Sequence, residues 1–245
     1  MNQDFSPAVV KRQELKYFFK SADKKIVNDA LQVILLSDPH NGSENGYKIS
    51  SLYFDNLNND DFNQKLDGIM YREKYRLRIY DDNLTHGKFE IKRKFNNFVQ
   101  KLSIPVSSND IEKIINGDFS PISQHKDFEY VAEKMNFMAY RPISIVNYFR
   151  RAYFLPYDNI RVTIDSNLSS NGFGTNLGRI NSLIDTPIQK NGYEIMEVKF
   201  ENDFPKFLST ILEAMPIVRS SISKYALARL ENNTELRGDE PLIPF

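Results

Sequence analysis

The segment Tyr71–Tyr80 alternates basic side chains with other, mainly apolar, ones. A β-strand places alternate side chains on opposite faces, so we expect one basic face and one largely apolar face here. The basic face carries Arg72, Lys74, Arg76 and Arg78. Neighbouring cations repel one another unless water or an anion lies between them. The chain is therefore expected to form a sheet whose basic face meets either solvent or a polyanion.

The same division into an apolar face and a charged face recurs in the other segments that alternate like strands. The charged positions are Arg12, Glu14, Lys16, Lys88, Glu90, Lys92, Lys94, Lys101, Arg150, Arg161, Glu197 and Lys199. A solvated sheet face normally mixes charge signs and tolerates Ser, Thr and Gln, whereas these faces are mainly Arg and Lys with isolated Glu. For Arg72, Lys88 and Lys94, a position at the rim of a shared cavity and a position in solvent both stay open.

Periodicity and turn residues predict the order of the elements. Strands are expected at Lys11–Phe19, Tyr47–Asp55, Tyr71–Tyr80, Lys88–Phe95, Phe98–Val106, Ile143–Leu155, Ile160–Leu168 and Tyr193–Phe200. Helices are expected from Ser21 or Asp23 to Leu35, and at Asn58–Leu66, Ser108–Ile115, Asp127–Met138, Phe204–Glu213 and Ser221–Glu231. Because most strands follow one another as hairpins, we predict an α+β fold, an eight-stranded antiparallel β-barrel with peripheral α-helices. It is expected to be a single domain over residues 1–245, with its core at about 11–231.

Composition narrows the function classes. The 32 basic and 32 acidic residues cancel, which argues against a general nucleic-acid coat or a polybasic membrane binder. The chain has no cysteine, so disulfides, thiolate metal sites and cysteine nucleophiles are excluded. No apolar run reaches the length of a membrane span, so we expect a cytoplasmic protein, with docking on an integral-membrane partner left open.

Helices packed on the apolar faces would leave the charged faces lining the barrel interior. Such a cationic interior is costly to assemble without a ligand, because desolvation and repulsion both oppose it. A condensed polyphosphate would offset this cost, since phosphate oxygens suit both Arg forks and Lys point charges. Glu14, Glu90 and Glu197 would then hold a divalent cation, and a site of oxygen donors with few His residues suits Mg²⁺ or Mn²⁺.

The sequence also resembles a known family. Eight short motifs follow one another along the chain: Arg12-Gln13-Glu14-Leu15-Lys16-Tyr17, Leu52-Tyr53-Phe54-Asp55, Tyr75-Arg76-Leu77-Arg78, Phe89-Glu90-Ile91-Lys92, Tyr148-Phe149-Arg150-Arg151-Ala152-Tyr153, Ile160-Arg161-Val162-Thr163-Ile164-Asp165, Met196-Glu197-Val198-Lys199 and Ser223-Lys224-Tyr225. Together they resemble the VTC (vacuolar transporter chaperone) polyphosphate polymerase domain of the triphosphate tunnel metalloenzyme (CYTH-like) superfamily. The resemblance implies an eight-stranded antiparallel tunnel that transfers the γ-phosphoryl group of ATP to inorganic polyphosphate with Mn²⁺ or Mg²⁺.

Carried over motif by motif, the resemblance assigns roles to individual residues. Catalytic contacts to phosphate are expected from Lys16, Arg76, Arg78, Lys92, Arg150 and Arg161. Further phosphate-binding residues would be Lys101, Lys199, Ser223 and Lys224. Glu197 would be the principal metal ligand, accompanied by Glu14 and Glu90. The expected partners are ATP, inorganic polyphosphate and phosphate, with no nucleic acid.

Two positions depart from the family pattern. Arg12 stands where the related hydrolases and cyclases have the first Glu of a Glu-x-Glu-x-Lys motif, which favours the polymerase branch. Ser221 stands where the polymerases tend to have Lys, so one phosphate contact is expected to be missing.

Three other functions stay open from the sequence. The first is a triphosphatase that uses water as the acceptor, and the second is a module that binds polyphosphate without turnover. The third, single-stranded nucleic-acid binding, is disfavoured, because aromatic side chains such as Tyr75 and Phe89 lie opposite the cations on their strands.

Overall fold

Eight long strands and three two-residue strands form one antiparallel sheet in the described part of the chain. The structure is a computed structural model, and it describes residues 13–95, 98–172, 186–188, 192–201 and 203–232. The strands are β1 Gln13–Lys20, β2 Leu36–Ser37, β3 Tyr47–Asp55, β4 Tyr71–Tyr80, β5 His86–Phe95, β6 Phe98–Ser107, β7 Arg141–Leu155, β8 Ile160–Gly172, β9 Thr186–Pro187, β10 Tyr193–Phe200 and β11 Val218–Arg219. The α-helices are α1 Lys24–Ile34, α2 Asp60–Leu66, α3 Ser108–Ile115, α4 Ser120–Ser123, α5 Glu129–Phe137, α6 Lys206–Glu213 and α7 Lys224–Asn232.

The sheet is strongly curled but is not closed by hydrogen bonds. Its order is β11-β1-β10-β8-β7-β3-β4-β5-β6, with β2 on β7 and β9 on β8. No ladder joins β6 to β1 among the described residues. The two sides nevertheless approach each other, because Lys92 Nζ of β5 lies 2.6 Å from Glu14 Oε2 of β1. The predicted α+β class, antiparallel sheet and peripheral helices are confirmed, whereas closure into an eight-stranded barrel is not.

The predicted elements agree with the structure to within a few residues. The predicted helix Ser108–Ile115 has the observed bounds, because Ser107 and Asp110 form a capping box at its start. The predicted eighth strand, Tyr193–Phe200, is also found unchanged. Helix α4 was not predicted, since four residues are too few to show a helical period. Residues 11 and 12 of the first predicted strand lie outside the described residues.

Helices cover the apolar, outer face of the sheet on two sides. Helices α3 and α5 pack against β4 and β5 through a core that contains Tyr75, Leu77 and Phe89. Helices α1 and α6 pack against β8 and β10 through a second core that contains Ile164 and Met196. The charged faces of these strands therefore point to the concave side of the sheet, as their alternation predicts.

Helix α7 lies on the concave side of the sheet. Its Tyr225 and Ala228 share a third core with Ile49 of β3 and Ile195 of β10. The hydroxyl of Tyr225 donates to Asp55 Oδ2 at 2.6 Å. This packing places the first residue of α7 inside the concavity, among the charged side chains of the strands.

A buried ion cluster on the outer face makes stability depend on acid pH. Glu73 accepts from Arg93 Nε at 2.6 Å, from Lys134 Nζ at 2.7 Å and from the Tyr75 hydroxyl. Burial alone would raise the pKa of Glu73, but these hydrogen bonds outweigh it and lower the pKa from 4.5 to about 2. A lowered pKa contributes stability that is present above pH 4.5 and is lost as the pH falls through about 2.

We therefore expect Glu73→Gln to flatten the acid side of the stability profile. In the wild type, the free energy of unfolding should fall by about 3 kcal/mol from this group between pH 4.5 and 2, and the variant should lack that fall. Urea titrations at several pH values measure it. The control is Glu133→Gln, at an exposed position of the same helix as Lys134. A Glu73→Gln profile parallel to that of the wild type would contradict this reading of the cluster.

Candidate functional site

The concave side of the sheet encloses a cavity of about 970 Å³. Twelve of the thirteen predicted site residues line it. They are Glu14, Lys16, Arg76, Arg78, Lys92, Lys101, Arg150, Arg161, Glu197, Lys199, Ser223 and Lys224. Residues from seven of the long strands thus converge with the start of α7 on one space. Their predicted individual roles stay predictions, but the structure brings the set together.

Glu197 occupies the centre of a cation cluster in this cavity. Its carboxylate oxygens lie 2.7 Å from Lys224 Nζ, 2.9 Å from Lys199 Nζ, 3.6 Å from Lys16 Nζ and 3.7 Å from Arg150 Nη2. Burial would raise the pKa of Glu197, but the surrounding cations hold it well below its usual value. Glu197 is therefore ionised at neutral pH, and it offsets the mutual repulsion of four positive groups.

Asp165 is a site residue that the sequence analysis did not select. Arg150 holds it with two parallel contacts, Nε to Oδ1 at 2.6 Å and Nη2 to Oδ2 at 2.7 Å. Lys224 Nζ lies 2.7 Å from Asp165 Oδ2 and 2.7 Å from Glu197 Oε1. Although burial lowers the pKa of Lys224, these two carboxylates outweigh it and raise the pKa above its usual value. Asp165 has the same parity on β8 as Arg161, which was the available sequence signal.

Glu90 is the one predicted site residue that does not line the cavity. Its carboxylate is 1% exposed and lies behind the cavity wall. Arg76 contacts Glu90 Oε2 through Nε and Nη2, both at 2.7 Å, and Lys101 Nζ contacts Oε1. Burial would raise the pKa of Glu90, but Arg76, Arg78 and Lys101 lower it. This placement gives Glu90 a positioning role for Arg76 and does not favour the predicted role as a metal ligand.

Arg76 and Arg78 differ in how firmly the protein holds them. Besides its two contacts to Glu90, Arg76 donates to the Tyr53 hydroxyl at 3.2 Å. Arg78 makes longer contacts, 3.3 Å to the Tyr148 hydroxyl, 3.4 Å to Ser51 Oγ and 3.6 Å to Glu90. Hydrogen bonds at such distances are weak, so the guanidinium of Arg78 retains donors for a ligand.

The family model described as VTC domain matches residues 11–230 of the chain. This chain belongs to the VTC domain family. The match spans most of the 245 residues, including every long strand and nearly all of α7. No curated protein sequence matches this one.

One solved structure with the same fold is that of a putative adenylyl cyclase. This protein, HpAC1 from Hippeastrum, is described as having a dominant triphosphatase activity, and it has a TM-score of 0.54 at 15% identity, covering 89% of this chain and 95% of that one. The PH1819 protein from Pyrococcus horikoshii has a TM-score of 0.47 at 12% identity, covering 91% of this chain and 99% of that one. At such identities the likeness to HpAC1 shows a shared fold and no more.

The VTC domain carries a second carboxylate on its cavity wall. Glu14 Oε2 lies 2.6 Å from Lys92 Nζ and 4.0 Å from Lys16 Nζ. Burial would raise the pKa of Glu14, but Lys92 and Lys16 lower it to about 2. Among the described residues, no group of three His, Cys, Asp or Glu residues is placed to hold a metal ion by itself.

The VTC domain has further cavity cations beyond the predicted set. Arg72 and Lys94, whose position the sequence left open, both line the cavity, as do Lys65 and Lys74. Lys88, the third residue left open, is exposed and does not line it. The basic face of β5 therefore continues past the edge of the cavity, and Lys88 lies on the part that meets solvent.

Aromatic side chains lie on both faces of the sheet in this VTC domain. Tyr75 and Phe89 are in the outer core, as predicted, but the cavity wall also contains five tyrosines, namely Tyr47, Tyr53, Tyr80, Tyr148 and Tyr225. The ring of Tyr53 stacks on that of Tyr225, with centroids 5.1 Å apart and 27° between the planes. Aromatic side chains and cations therefore share the cavity wall, contrary to the separation that the strand alternation predicted. In the described part of the chain, no helix is long and apolar enough to cross a membrane.

Proposed function

We propose that this VTC domain is an ATP-dependent polyphosphate polymerase. The observation that carries the proposal is the nature of the carboxylates in the cavity. Among the described residues that line it, the carboxylates are Glu14 and Glu197, and there is no histidine. Both carboxylates are paired with lysines, and both have a lowered pKa, so they are weak bases for activating water. A phosphate acceptor is already anionic and needs no such base.

The basic residues supply what phosphoryl transfer requires of a protein, which is positioning and neutralisation of charge. A terminal oxygen of the acceptor chain attacks the γ-phosphorus of ATP, the bond from that phosphorus to the β,γ-bridging oxygen breaks, and ADP leaves. Arg78 has donors free for the equatorial oxygens, while Glu90 fixes Arg76 beside it. Preorganised donors of this kind stabilise charge as it develops in the transition state.

A divalent cation fits the donors in this cavity. Mg²⁺ is usually held by one or two carboxylates together with substrate phosphates, and Mn²⁺ accepts the same hard oxygen donors. Glu197 and Glu14 both line the cavity and both contact Lys16, so we propose that they hold the ion jointly with phosphate oxygens. The bound ion would help to neutralise the transferred and leaving phosphates. We leave Glu90 out of this set because, unlike Glu14 and Glu197, it does not line the cavity.

A triphosphatase is the second candidate function. It is favoured by the shared fold with HpAC1, which is described as having a dominant triphosphatase activity. The same cations would bind the triphosphate, and water would replace the phosphate acceptor. The scarcity of competent bases in the cavity argues against this candidate, as described above.

Product analysis separates the candidates. Purified protein is incubated with ATP and Mn²⁺ or Mg²⁺, and polyphosphate, orthophosphate and ADP are each measured. We expect polyphosphate and ADP in amounts that balance as phosphoryl groups, with little orthophosphate. Orthophosphate without polymer would establish the triphosphatase instead. Polyphosphate binding without ATP turnover would leave a non-catalytic binding module.

A further inference from the structure

The guanidinium of Arg161 is held by a carboxylate that lies outside the cavity. Arg161 lines the cavity near the start of β8, and its Nη2 lies 2.8 Å from Asp38 Oδ2. Asp38 does not line the cavity and belongs to the segment between β2 and β3. Glu14 and Glu197, in contrast, pair with cations from within the cavity. Asp38 thus contacts a cavity residue without facing the cavity itself.

The carboxylate of Asp38 is fixed by the turn that it begins. Asp38 precedes a short 3₁₀ helix, Pro39–Asn41, and its Oδ1 accepts from the backbone N–H of His40 at 3.0 Å. Pro39 suits the first helical position, because a residue there has no helical acceptor for an N–H. The Nδ1 of His40 lies 2.9 Å from the same oxygen of Asp38. One carboxylate oxygen is thus committed to the turn, and the other contacts Arg161.

Strand β7 holds this turn in place. The N–H of Asp38 donates to the carbonyl of Ala152 on β7 at 2.9 Å. The buried side-chain amide of Asn41 donates to the same carbonyl and accepts from the N–H of Ala152, both at 2.8 Å. Because β7 is paired with β8, these bonds also fix the position of Asp38 relative to Arg161.

The contact with Asp38 occupies one edge of the Arg161 guanidinium. Nη2 also lies 3.5 Å from the Tyr47 hydroxyl, which is a weak contact. Nε and Nη1 have no hydrogen-bond acceptor among the described residues. Burial would raise the pKa of Asp38, but the hydrogen bonds from His40 and the charge of Arg161 lower it, so Asp38 is ionised at neutral pH. Arg161 is therefore oriented by an anion on one side while its other donors stay free.

We propose that Asp38 is a positioning residue that orients Arg161 toward the phosphate groups of the substrate. This inference rests on the proposed function of the cavity, in which Arg161 contacts phosphate. Asp38 itself touches no substrate, and it acts by restricting a long side chain that would otherwise lose more conformational freedom on binding. Glu90 holds Arg76 in a comparable way from a strand, whereas Asp38 does so from a turn outside the long strands.

The variant Asp38→Asn tests this role in the full chain, with inorganic triphosphate as the ligand in calorimetric titrations. The amide keeps an oxygen for the N–H of His40 but loses the charged contact with Arg161. Removal of a negative charge would by itself tighten the binding of an anion. We expect the opposite, a dissociation constant about five-fold higher, because Arg161 must then be ordered when the ligand binds. The direction of the change therefore separates positioning from a simple effect of charge.

A double-mutant cycle with Arg161→Gln shows whether Asp38 acts through Arg161. In the Arg161→Gln background, Asp38→Asn should change the dissociation constant by less than about two-fold, because no guanidinium is left to orient. During ATP turnover, kcat/KM should show the same lack of additivity. Asp38→Glu keeps the charge and should recover most of the lost affinity. The matched control is Asp158→Asn, at an exposed carboxylate three residues before Arg161, which should stay within about two-fold of the wild type.

The outcomes separate this inference from the proposed function. Unchanged or tighter binding by Asp38→Asn, or an equal loss with and without Arg161, would overturn the positioning role while the polymerase stands. If the wild type binds triphosphate but forms no polyphosphate, the proposed function fails and the cycle still decides the role of Asp38. If the wild type binds no triphosphate, both fail.

Thermal unfolding shows whether each variant is folded. If Asp38→Asn does not fold, Arg161→Lys tests the same contact while leaving the turn intact. Lysine keeps the charge but lacks the fork that can contact a carboxylate and a phosphate together, so the dissociation constant should again rise about five-fold. Unchanged affinity in Arg161→Lys would overturn the inference.

Discussion

Arg78→Ala is expected to lower the rate of ATP turnover about 10³-fold while leaving the fold intact. Arginine side chains that neutralise charge in phosphoryl transfer contribute on this scale. The cost in stability should be small, because the contacts of Arg78 with Tyr148, Ser51 and Glu90 are 3.3 to 3.6 Å long. Steady-state kinetics and thermal unfolding measure the two effects. A variant with more than a tenth of wild-type turnover would show that Arg78 does not contact the reacting phosphates.

Two comparison variants sharpen this test. Lys88→Ala removes the direct ladder neighbour of Arg78, which is exposed and outside the cavity, and should leave turnover unchanged. Arg76→Ala should lose turnover and also about 3 kcal/mol of stability, because it breaks a buried pair with Glu90. A similar stability loss in Arg76→Ala and Arg78→Ala would contradict the difference in how the protein holds them.

Glu197→Gln is expected to have the second largest effect, on stability as well as on turnover. The amide keeps the shape of the side chain but removes the negative charge that Lys199, Lys224 and two further cations share. The ligand-free protein should lose about 3 kcal/mol, as buried pairs do when one partner is removed. Turnover should fall at least about ten-fold, because Glu197 is a proposed metal ligand and changes to the hydrogen-bond partners of metal ligands already cost about 10- to 100-fold.

Added ligand distinguishes the electrostatic explanation from simple misfolding. The proposed binding of polyphosphate to the folded state would supply negative charge, so added polyphosphate should raise the unfolding temperature of Glu197→Gln more than that of the wild type. Thermal unfolding with and without polyphosphate measures this difference. The control is Glu112→Gln, at an exposed position of α3. Equal shifts in the variant and the wild type would mean that Glu197 does not balance the charge of the cavity.

The period of two in the strands was enough to predict most of the site. Each basic residue of β4 and β5 that lines the cavity has the predicted parity. Helices cover the apolar face of these strands, so the charged face points to the concave side of the sheet. The positions at strand ends were less predictable. Arg72 and Lys88 have similar sequence surroundings, and the extent of the cavity along the strands decides that one lines it and the other does not.

Depth and long-range packing could not be read from alternation. Glu90 and Glu14 each lie on the charged face of a strand, two residues before a lysine. Glu90 is nevertheless enclosed by Arg76 and Lys101, while Glu14 lies on the cavity wall. The burial of Asp165 depends on Arg150 from a neighbouring strand and on Lys224 from α7. Closure of the sheet was also overestimated, since strand number alone does not fix whether the two edges form a ladder.

The position of α7 has a consequence for the order in which the protein becomes competent. Lys224 contacts the carboxylates of both Asp165 and Glu197, and it follows every strand of the sheet along the chain. A chain whose strands had formed without α7 would hold these two carboxylates without the lysine that bridges them. The charge balance of the cavity is therefore complete only when α7 has packed against the sheet.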